Sequence, residues 1–425
     1  MRLKTRTKTL ILPLLLSLLF QAPAAFTSSP ELKLANEYEV FFRQHVKKEK
    51  FLGAAFVVVS GDQIIHLVTT GHTDTSRKQA IDKNTTFRVA SVSKTFAAGL
   101  SGILVTEGQF AWDDPVNRYV PDFRINGDSR QIRIRHLLGQ STGLMPHAYD
   151  NLIEDGVAVN KIQDQYRKLT YICSPGHCYS YQNSIFSLIE PVIEEVTSSS
   201  YAALMEEKIF RPLDMKTASV GYEPFVNNPN HAKPHVLVKK GTWKTISVKP
   251  NYYRIAPAAG VNASALDMGK WLMAQLGSNP DVIKPEVIDA LTRPRVKTRR
   301  EKYRRHWKEM LTDAHYGLGW RIYQLGEHRL AYHSGWVSGY RADIAWSEQY
   351  DLGFAILLNE EANSINELTT TFWEMAFATL QPPSIASTNN SPQIPAPAST
   401  SHSALPAGIT RVIAISPSAL SAGSE

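Results

Sequence analysis

Ser91-Val92-Ser93-Lys94 sets a hydroxyl and an amine three residues apart. They lie where the extended run Thr85-Thr86-Phe87-Arg88-Val89-Ala90 gives way to an apolar stretch with helical spacing. A three-residue step along a helix is one turn on the same face, so the Lys94 ammonium reaches the Ser91 hydroxyl. Serine is a weak nucleophile at neutral pH and needs a base or proton relay beside it. A helix start also aims free backbone N–H groups at a developing anion. Taken alone, the four residues read more readily as an N-capping serine followed by a surface lysine.

Two further clusters separate those readings. Tyr181 and Asn183 end the run Pro175-Gly176-His177-Cys178-Tyr179-Ser180-Tyr181-Gln182-Asn183, ahead of Ile185, Leu188, Ile189 and Val192 at helical spacing. Tyr332-His333-Ser334-Gly335-Trp336 ends one apolar run and precedes another, Tyr340 to Trp346. The order Ser-x-x-Lys, Tyr-x-Asn, (Lys/His)-(Ser/Thr)-Gly resembles the penicillin-recognising serine hydrolases, and within them the branch of class C β-lactamases, DD-peptidases and esterases. The flanks resemble that branch too: Phe87-Arg88-Val89-Ala90, Thr95-Phe96, His136-Leu137-Leu138 with Ser141-Thr142-Gly143-Leu144, Ala258-Ala259-Gly260, and Tyr316-Gly317-Leu318-Gly319-Trp320. The resemblance runs from about residue 35 to about residue 380.

The resemblance implies an acyl-enzyme mechanism with three catalytic residues. Ser91 attacks a carbonyl, Lys94 accepts or relays its proton, and Tyr181 shares the relay and protonates the leaving group. For Lys94 to act as a base, burial must lower its pKa. Proton transfer of this kind supplies roughly 10²–10⁴ in rate. Substrate binding falls to Asn183, His333, Ser334, Gly335 and Trp336. Asn183 would bond the Lys94 ammonium and a substrate amide, and the N–H groups of Ser91 and Trp336 would form the oxyanion hole. His333 and Ser334, on an edge strand, would take a substrate carboxylate. The expected activity is hydrolysis of the β-lactam ring; the alternatives are D-alanyl-D-alanine carboxypeptidase or esterase activity by the same chemistry, and a catalytically silent protein that binds cell-wall peptide. No cofactor and no metal are implied.

Two residues depart from the pattern. The family's β-lactamases usually carry lysine where His333 stands, and an unperturbed histidine, with a pKa of about 6.5, is mostly neutral at pH 7. Recognition of a carboxylate by His333 would then weaken as pH rises through its pKa. Gln182 stands where a small residue is usual, and would crowd the acyl pocket.

The elements that must position these groups follow from periodicity. Glu31 to Val46 reads as an amphipathic helix, Gly53–Ser60 and Gln63–Thr70 as a hairpin, and Lys94 to Glu107 as a buried helix closed by Gly108. Arg329–His333, Tyr340–Trp346 and Leu352–Leu358 read as strands, and Ile365 to Leu380 as a closing helix. The expected fold is α/β (α+β): an antiparallel sheet flanked by N- and C-terminal helices, with a mostly helical subdomain over about residues 110–250. The catalytic domain spans residues 30–382. At 425 residues and 43% hydrophobic, the chain can bury one large layered core.

Arg2, Lys4, Arg6 and Lys8 precede an apolar run, Leu10 to Phe20, too short to cross a bilayer, then Ala22-Pro23-Ala24-Ala25. Residues 1–24 therefore read as a secretory signal peptide, with a periplasmic destination and no stable membrane span. Residues 383–425, rich in Pro, Ser and Ala, read as a disordered tail. Cys173 and Cys178 are the only cysteines, and disulfide, free thiols or a metal site with His177 all remain open. His136 and His177 read as structural. The net charge of +7 gathers in residues 293–308, where Arg293, Arg299, Arg300, Arg304 and Arg305 lie together. That run suggests contact with anionic envelope material, against the plainer reading of a solvated loop. Nucleic acid is not an expected partner, since no nucleic-acid motif accompanies the charge.

Overall fold

The computed structural model describes residues 29–239 and 241–381. The signal-peptide and tail expectations lie outside the described residues. No helix among the described residues is long and apolar enough to cross a membrane.

Thirteen strands are described: β1 (Gly53–Ser60), β2 (Gln63–Gly71), β3 (Phe87–Arg88), β4 (Ser219–Val220), β5 (His235–Lys239), β6 (Thr242–Thr245), β7 (Val261–Ala263), β8 (Val296–Lys297), β9 (Asp313–Tyr316), β10 (Arg321–Leu325), β11 (His328–Val337), β12 (Tyr340–Ser347) and β13 (Leu352–Leu358). The longer helices are α1 (Pro30–Glu49), α2 (Ser93–Thr106), α3 (Ile189–Thr197), α4 (Ala265–Gln275), α5 (Pro285–Thr292) and α6 (Ile365–Thr379). Eight strands form one antiparallel sheet in the order β2-β1-β13-β12-β11-β10-β9-β8. The hairpin β1–β2 thus closes against β13, the last strand among the described residues.

Helices cover both faces of that sheet, which explains strands without polar alternation. In β1, Ala54, Phe56 and Val58 pack towards α1 and α6 with Tyr38, Phe42, Phe372 and Trp373. Ala55, Val57 and Val59 turn the other way, into the core shared with α2 and α4. A one-residue slip would exchange the two sets, so register is fixed by packing on both sides.

Helix α2 is buried around its circumference up to Leu104. Phe96 stacks on Trp271 of α4 at 4.2 Å. Gly99 and Gly102 let α4 and α5 approach: an added Cβ would lie 2.7 Å from the Trp271 ring and 2.3 Å from Val287. The polar side chains of α2 are bonded locally, Thr95 to the Val92 carbonyl and Ser101 to the Ala97 carbonyl. A helix buried in this way cannot tilt or slide, which fixes whatever its first turn carries.

Between Phe110 and Pro250 the described residues form short helices and turns, as the sequence suggested, apart from the two-residue strand β4 and one hairpin. The hairpin β5–β6 was not read, because Leu237 and Val238 are exposed and no buried apolar alternation marks it.

Candidate active site

Strand β3 delivers the chain to Val89, Ala90 turns it through a left-handed conformation with φ of 50°, and a short 3-10 turn, Ala90–Val92, leads into α2. A non-glycine residue with positive φ is held only where surroundings over-determine it. Here Val89 N donates to the Val261 carbonyl, and Ala90 packs against Gly335, where a Cβ would come 2.1 Å from the Val89 carbonyl. Gly335 therefore sets the close approach of β11 to the turn. Ser91 is the second residue of that turn, so its N–H has no acceptor within it.

Lys94, in the first turn of α2, is fully buried. Its Nζ lies 3.1 Å from Ser91 Oγ, 2.8 Å from Asn183 Oδ1 and 3.0 Å from the Ala258 carbonyl. The Tyr181 ring centroid is 4.7 Å away. Burial pushes the Lys94 pKa down, opposed by the Tyr181 phenol and Asp150. Two of its three partners can only accept. A neutral Lys94 thus gives its two hydrogens to Asn183 and Ala258 and keeps its lone pair for the Ser91 hydroxyl.

Asn183 is oriented from behind. Its Nδ2 donates to Asp150 Oδ2 at 2.8 Å, and His147 Nδ1 lies 2.9 Å from the same oxygen. The Asp150 carboxylate decides which end of the amide faces Lys94. Asp150 was not singled out from the sequence: it starts a short helix, Asp150–Glu154, with no motif around it.

Tyr181 sits on a stapled loop. Cys173 and Cys178 are disulfide-bonded, which closes the question the sequence left open. The loop between them is tied down by Gly176 N donating to the Ser141 carbonyl, and Ile172, just before it, donates its N–H to the Gly143 carbonyl. Gln182 does not crowd the acyl pocket. It points into the protein, 1% exposed, where Thr142 Oγ1 donates to its Oε1 and its Nε2 donates to the Met145 carbonyl. Its length suits bridging two loops rather than filling the cleft. His136 is structural, its Nδ1 accepting from Arg133 N, whereas His177 lies in the cleft wall.

Strand β11 lies inside the sheet, but β10 stops at Arg321, opposite Tyr332, and leaves the outer side of His333–Val337 unpaired. Both hairpins around β11 turn through two residues, Gly326-Glu327 and Ser338-Gly339, so Leu325–His328 and Val337–Tyr340 are the closing hydrogen-bonded pairs. Counting in twos from them, His333, Gly335 and Val337 bond β12, while Ser334 and Trp336 turn their N–H groups to the open edge beside Ser91. The Trp336 side chain is exposed and carries the Arg341 guanidinium 4.3 Å over its ring.

His333 is the main correction. It is fully buried and does not line the cleft, so it cannot bind a substrate carboxylate. Its Nδ1 lies 2.9 Å from the Ser334 carbonyl, which only accepts, so Nδ1 carries the hydrogen. Nε2 then accepts from the Tyr316 hydroxyl at 3.0 Å and from Arg321 Nη1 at 3.4 Å. Burial first, then the Arg321 and Lys94 charges, hold its pKa well below the usual value. His333 is a neutral spacer that orients Tyr316 and Arg321.

The cations come from elsewhere. Arg321 and Arg304 both bond Glu301, at 3.2 and 3.4 Å, and Arg304 Nη2 donates to Ser334 Oγ at 3.3 Å and to Asn366 Oδ1 at 3.0 Å. Burial alone would raise the Glu301 pKa, but the two guanidinium groups hold it down at about 2. The Arg321 guanidinium also stands 5.5 Å over the Tyr181 ring. Part of the basic run at 293–308 is not a solvated loop: Lys297, Arg299, Arg300 and Arg304 line the cleft. No group of three or more metal-ligating side chains is found among the described residues.

Ser91, Tyr181, Asn183, Ser334 and Trp336 all line one cleft of about 1390 Å³, with Lys94 beneath its floor. The Beta-lactamase family model matches residues 39–371. The chain belongs to the Beta-lactamase family. It is 23% identical over 354 residues to Protein flp of Staphylococcus aureus (strain MW2), covering 78% of this chain and 64% of that one. It is 25% identical over 291 residues to the unguisins hydrolase ungD' of Aspergillus campestris, covering 65% and 52% respectively. The chain thus spans less than two thirds of these relatives. The octameric penicillin-binding protein homologue from Pyrococcus abyssi superposes with a TM-score of 0.71 at 22% identity, over 81% of this chain and 77% of that one. That likeness establishes the α/β fold with its antiparallel sheet.

Proposed function

We propose that this protein is a serine hydrolase that forms an acyl-enzyme on Ser91 and hydrolyses β-lactams, working outside the cytoplasm. One observation carries the reading: a fully buried lysine with a lowered pKa, 3.1 Å from the serine hydroxyl, on the floor of the cleft that Tyr181 also lines. The oxidised Cys173–Cys178 pair beside the site favours an exported protein.

In the first step the neutral Lys94 amine takes the Ser91 proton as Oγ bonds the carbonyl carbon. The N–H groups of Ser91 and Trp336 face the oxygen that gains charge, and one such donor is worth about 3–4 kcal/mol. The proton then passes through Tyr181 to the leaving nitrogen or oxygen, and the same relay activates water to release the acyl group. Ser334, backed by Arg304, takes the carboxylate beside the scissile bond in the role first given to His333. Esters and D-alanyl peptides are the second reading, because the position beside Ser334 holds a neutral histidine instead of a cation.

Incubation with a fluorescent penicillin tests the proposal. A covalent label on the wild type that is lost in Ser91→Ala is expected, and a chromogenic cephalosporin should turn over many times per enzyme. A labelled protein that turns over slowly moves the assignment to the second reading. Absence of both label and ester hydrolysis would refute acyl transfer altogether.

A further inference from the structure

Arg88, three residues before Ser91, belongs to the wall of the same cleft yet is only 4% exposed. A buried guanidinium is costly unless an anion or several acceptors satisfy it. Arg88 makes one bond, Nη1 to the Lys249 carbonyl at 3.4 Å, and its flat face lies 4.0 Å over the Tyr253 ring. Its Nε and Nη2 have no partner among the described residues, and no carboxylate pairs with it. Those two nitrogens share one edge of the guanidinium. Elsewhere in this protein Arg130 uses that same edge, Nε and Nη2, to grip both oxygens of Asp128 at 2.8 and 3.2 Å. A vacant edge of this kind matches a carboxylate in shape, charge and hydrogen-bond count.

The surroundings favour an anion. Eight Arg and Lys line the cleft against four Asp and Glu, and among the described residues no ion pair neutralises Arg88, Lys249, Arg299 or Arg300. Such an excess concentrates anions at the mouth. Nε and Nη2 are buried, and Lys249, which lines the cleft with Ser247, holds Arg88 only through that 3.4 Å bond to Nη1. A ligand reaches these two nitrogens only if the groups packed around them move. The leaving group departs on the side of Tyr181, where Arg321 stands. Arg88 packs instead on Tyr253, which clusters with Val337 and Tyr340 at the end of β11 beyond Ser334 and Trp336, so an anion it holds belongs to the part that stays bonded to Ser91.

We propose that the Nε/Nη2 edge of Arg88 seats a carboxylate carried by the acyl portion of the substrate, and that the cleft selects acyl donors bearing such a group. This rests on acyl transfer at Ser91. The probes are the p-nitrophenyl esters of butyrate and of glutarate, which differ in a terminal carboxylate. The wild type should show a kcat/KM at least tenfold higher for the glutarate ester, and Arg88→Gln should reduce that ratio at least tenfold. Arg88→Lys, which keeps charge but not the two-pronged edge, should fall between. Should the Gln variant not fold, free glutarate should inhibit the wild-type butyrate esterase activity at a tenfold lower concentration than free butyrate. Equal inhibition, or a ratio that Arg88→Gln leaves unchanged, overturns the proposal while acyl transfer stands. Hydrolysis of neither ester, with no covalent label on Ser91, removes the acyl-transfer reading itself.

Discussion

Replacing Glu301 by glutamine tests the buried charge cluster beneath the cleft. The carboxylate is nearly enclosed, and its pKa is held at about 2 against an ordinary 4.5 by Arg321 and Arg304, which outweigh the opposing effect of burial. A depressed carboxylate pKa stabilises the fold above the unfolded value, and that stability is lost as pH falls towards the folded value. The difference of roughly 2.5 units, at about 1.36 kcal/mol each, amounts to about 3 kcal/mol. Glu301→Gln should therefore be about 3 kcal/mol less stable than the wild type at pH 7, since it also leaves two guanidinium groups in a dry site without their shared anion. The wild-type curve of unfolding free energy against pH should drop between about pH 5 and pH 2, and the variant curve should lack much of that drop. Urea titrations at several pH values measure both. Parallel curves, or a variant as stable as the wild type at pH 7, would refute the argument that Glu301 is ionised and clamped.

Further outcomes follow from single side chains. His333 is neutral throughout the range in which an ordinary histidine titrates, so kcat/KM for a carboxylate-bearing substrate should show no falling limb between about pH 5 and pH 8; a limb centred near 6.5 would restore the role first assigned to it. The acid limb that remains belongs to Lys94, with activity rising as pH approaches its lowered pKa from below. Asp150→Ala frees the Asn183 amide to rotate and should cut kcat on a chromogenic substrate at least tenfold with little change in melting temperature; an unaffected kcat would show that Asn183 holds itself. Glu360 is buried, accepts from Leu52 N at 2.6 Å, and burial raises its pKa to about 8, so the fold loses stability as pH rises from the unfolded value towards that pKa. Glu360→Gln keeps the acceptor and should raise unfolding free energy at pH 7 by up to about 3 kcal/mol, with no gain at pH 4.

What the sequence made legible is what hydrophobic periodicity records. Strands β1, β2, β12 and β13 and helices α1, α2 and α6 stand where apolar runs placed them, because each is buried by packing that repeats with its own period. Strands β8 to β10 were not read: Val296–Lys297 is two residues long, and Asp313–Tyr316 and Arg321–Leu325 follow a basic segment that masks their alternation. The contacts among Ser91, Lys94 and Asn183 were anticipated because ordered motifs encode them. Asp150, Arg321 and Glu301 were missed because each acts through a neighbour distant in sequence, and no spacing announces it.

The burial of His333 and the place of the basic run in the cleft wall escaped the sequence for one reason. A side chain's charge belongs to its surroundings as much as to its type. Taken in isolation, His333 looks like a weakened cation, and Arg304 looks like one more positive charge on a surface segment. In the fold, Arg321 crosses from β10 to bond Nε2 of His333, and Arg304 comes up beneath Ser334. Two guanidinium groups share one carboxylate, so this cluster keeps a net positive charge directly behind the strand that faces the cleft. The histidine ring, with its hydrogen on Nδ1, is the part that must stay neutral, since a proton on Nε2 would point at Arg321 and displace the Tyr316 hydroxyl. A lysine placed at His333 would meet the same guanidinium and would have to expel it. The neutral histidine and the two displaced arginines are therefore one solution, and a Tyr316→Phe or Arg321→Gln change should disturb carboxylate recognition as much as any change at His333 itself.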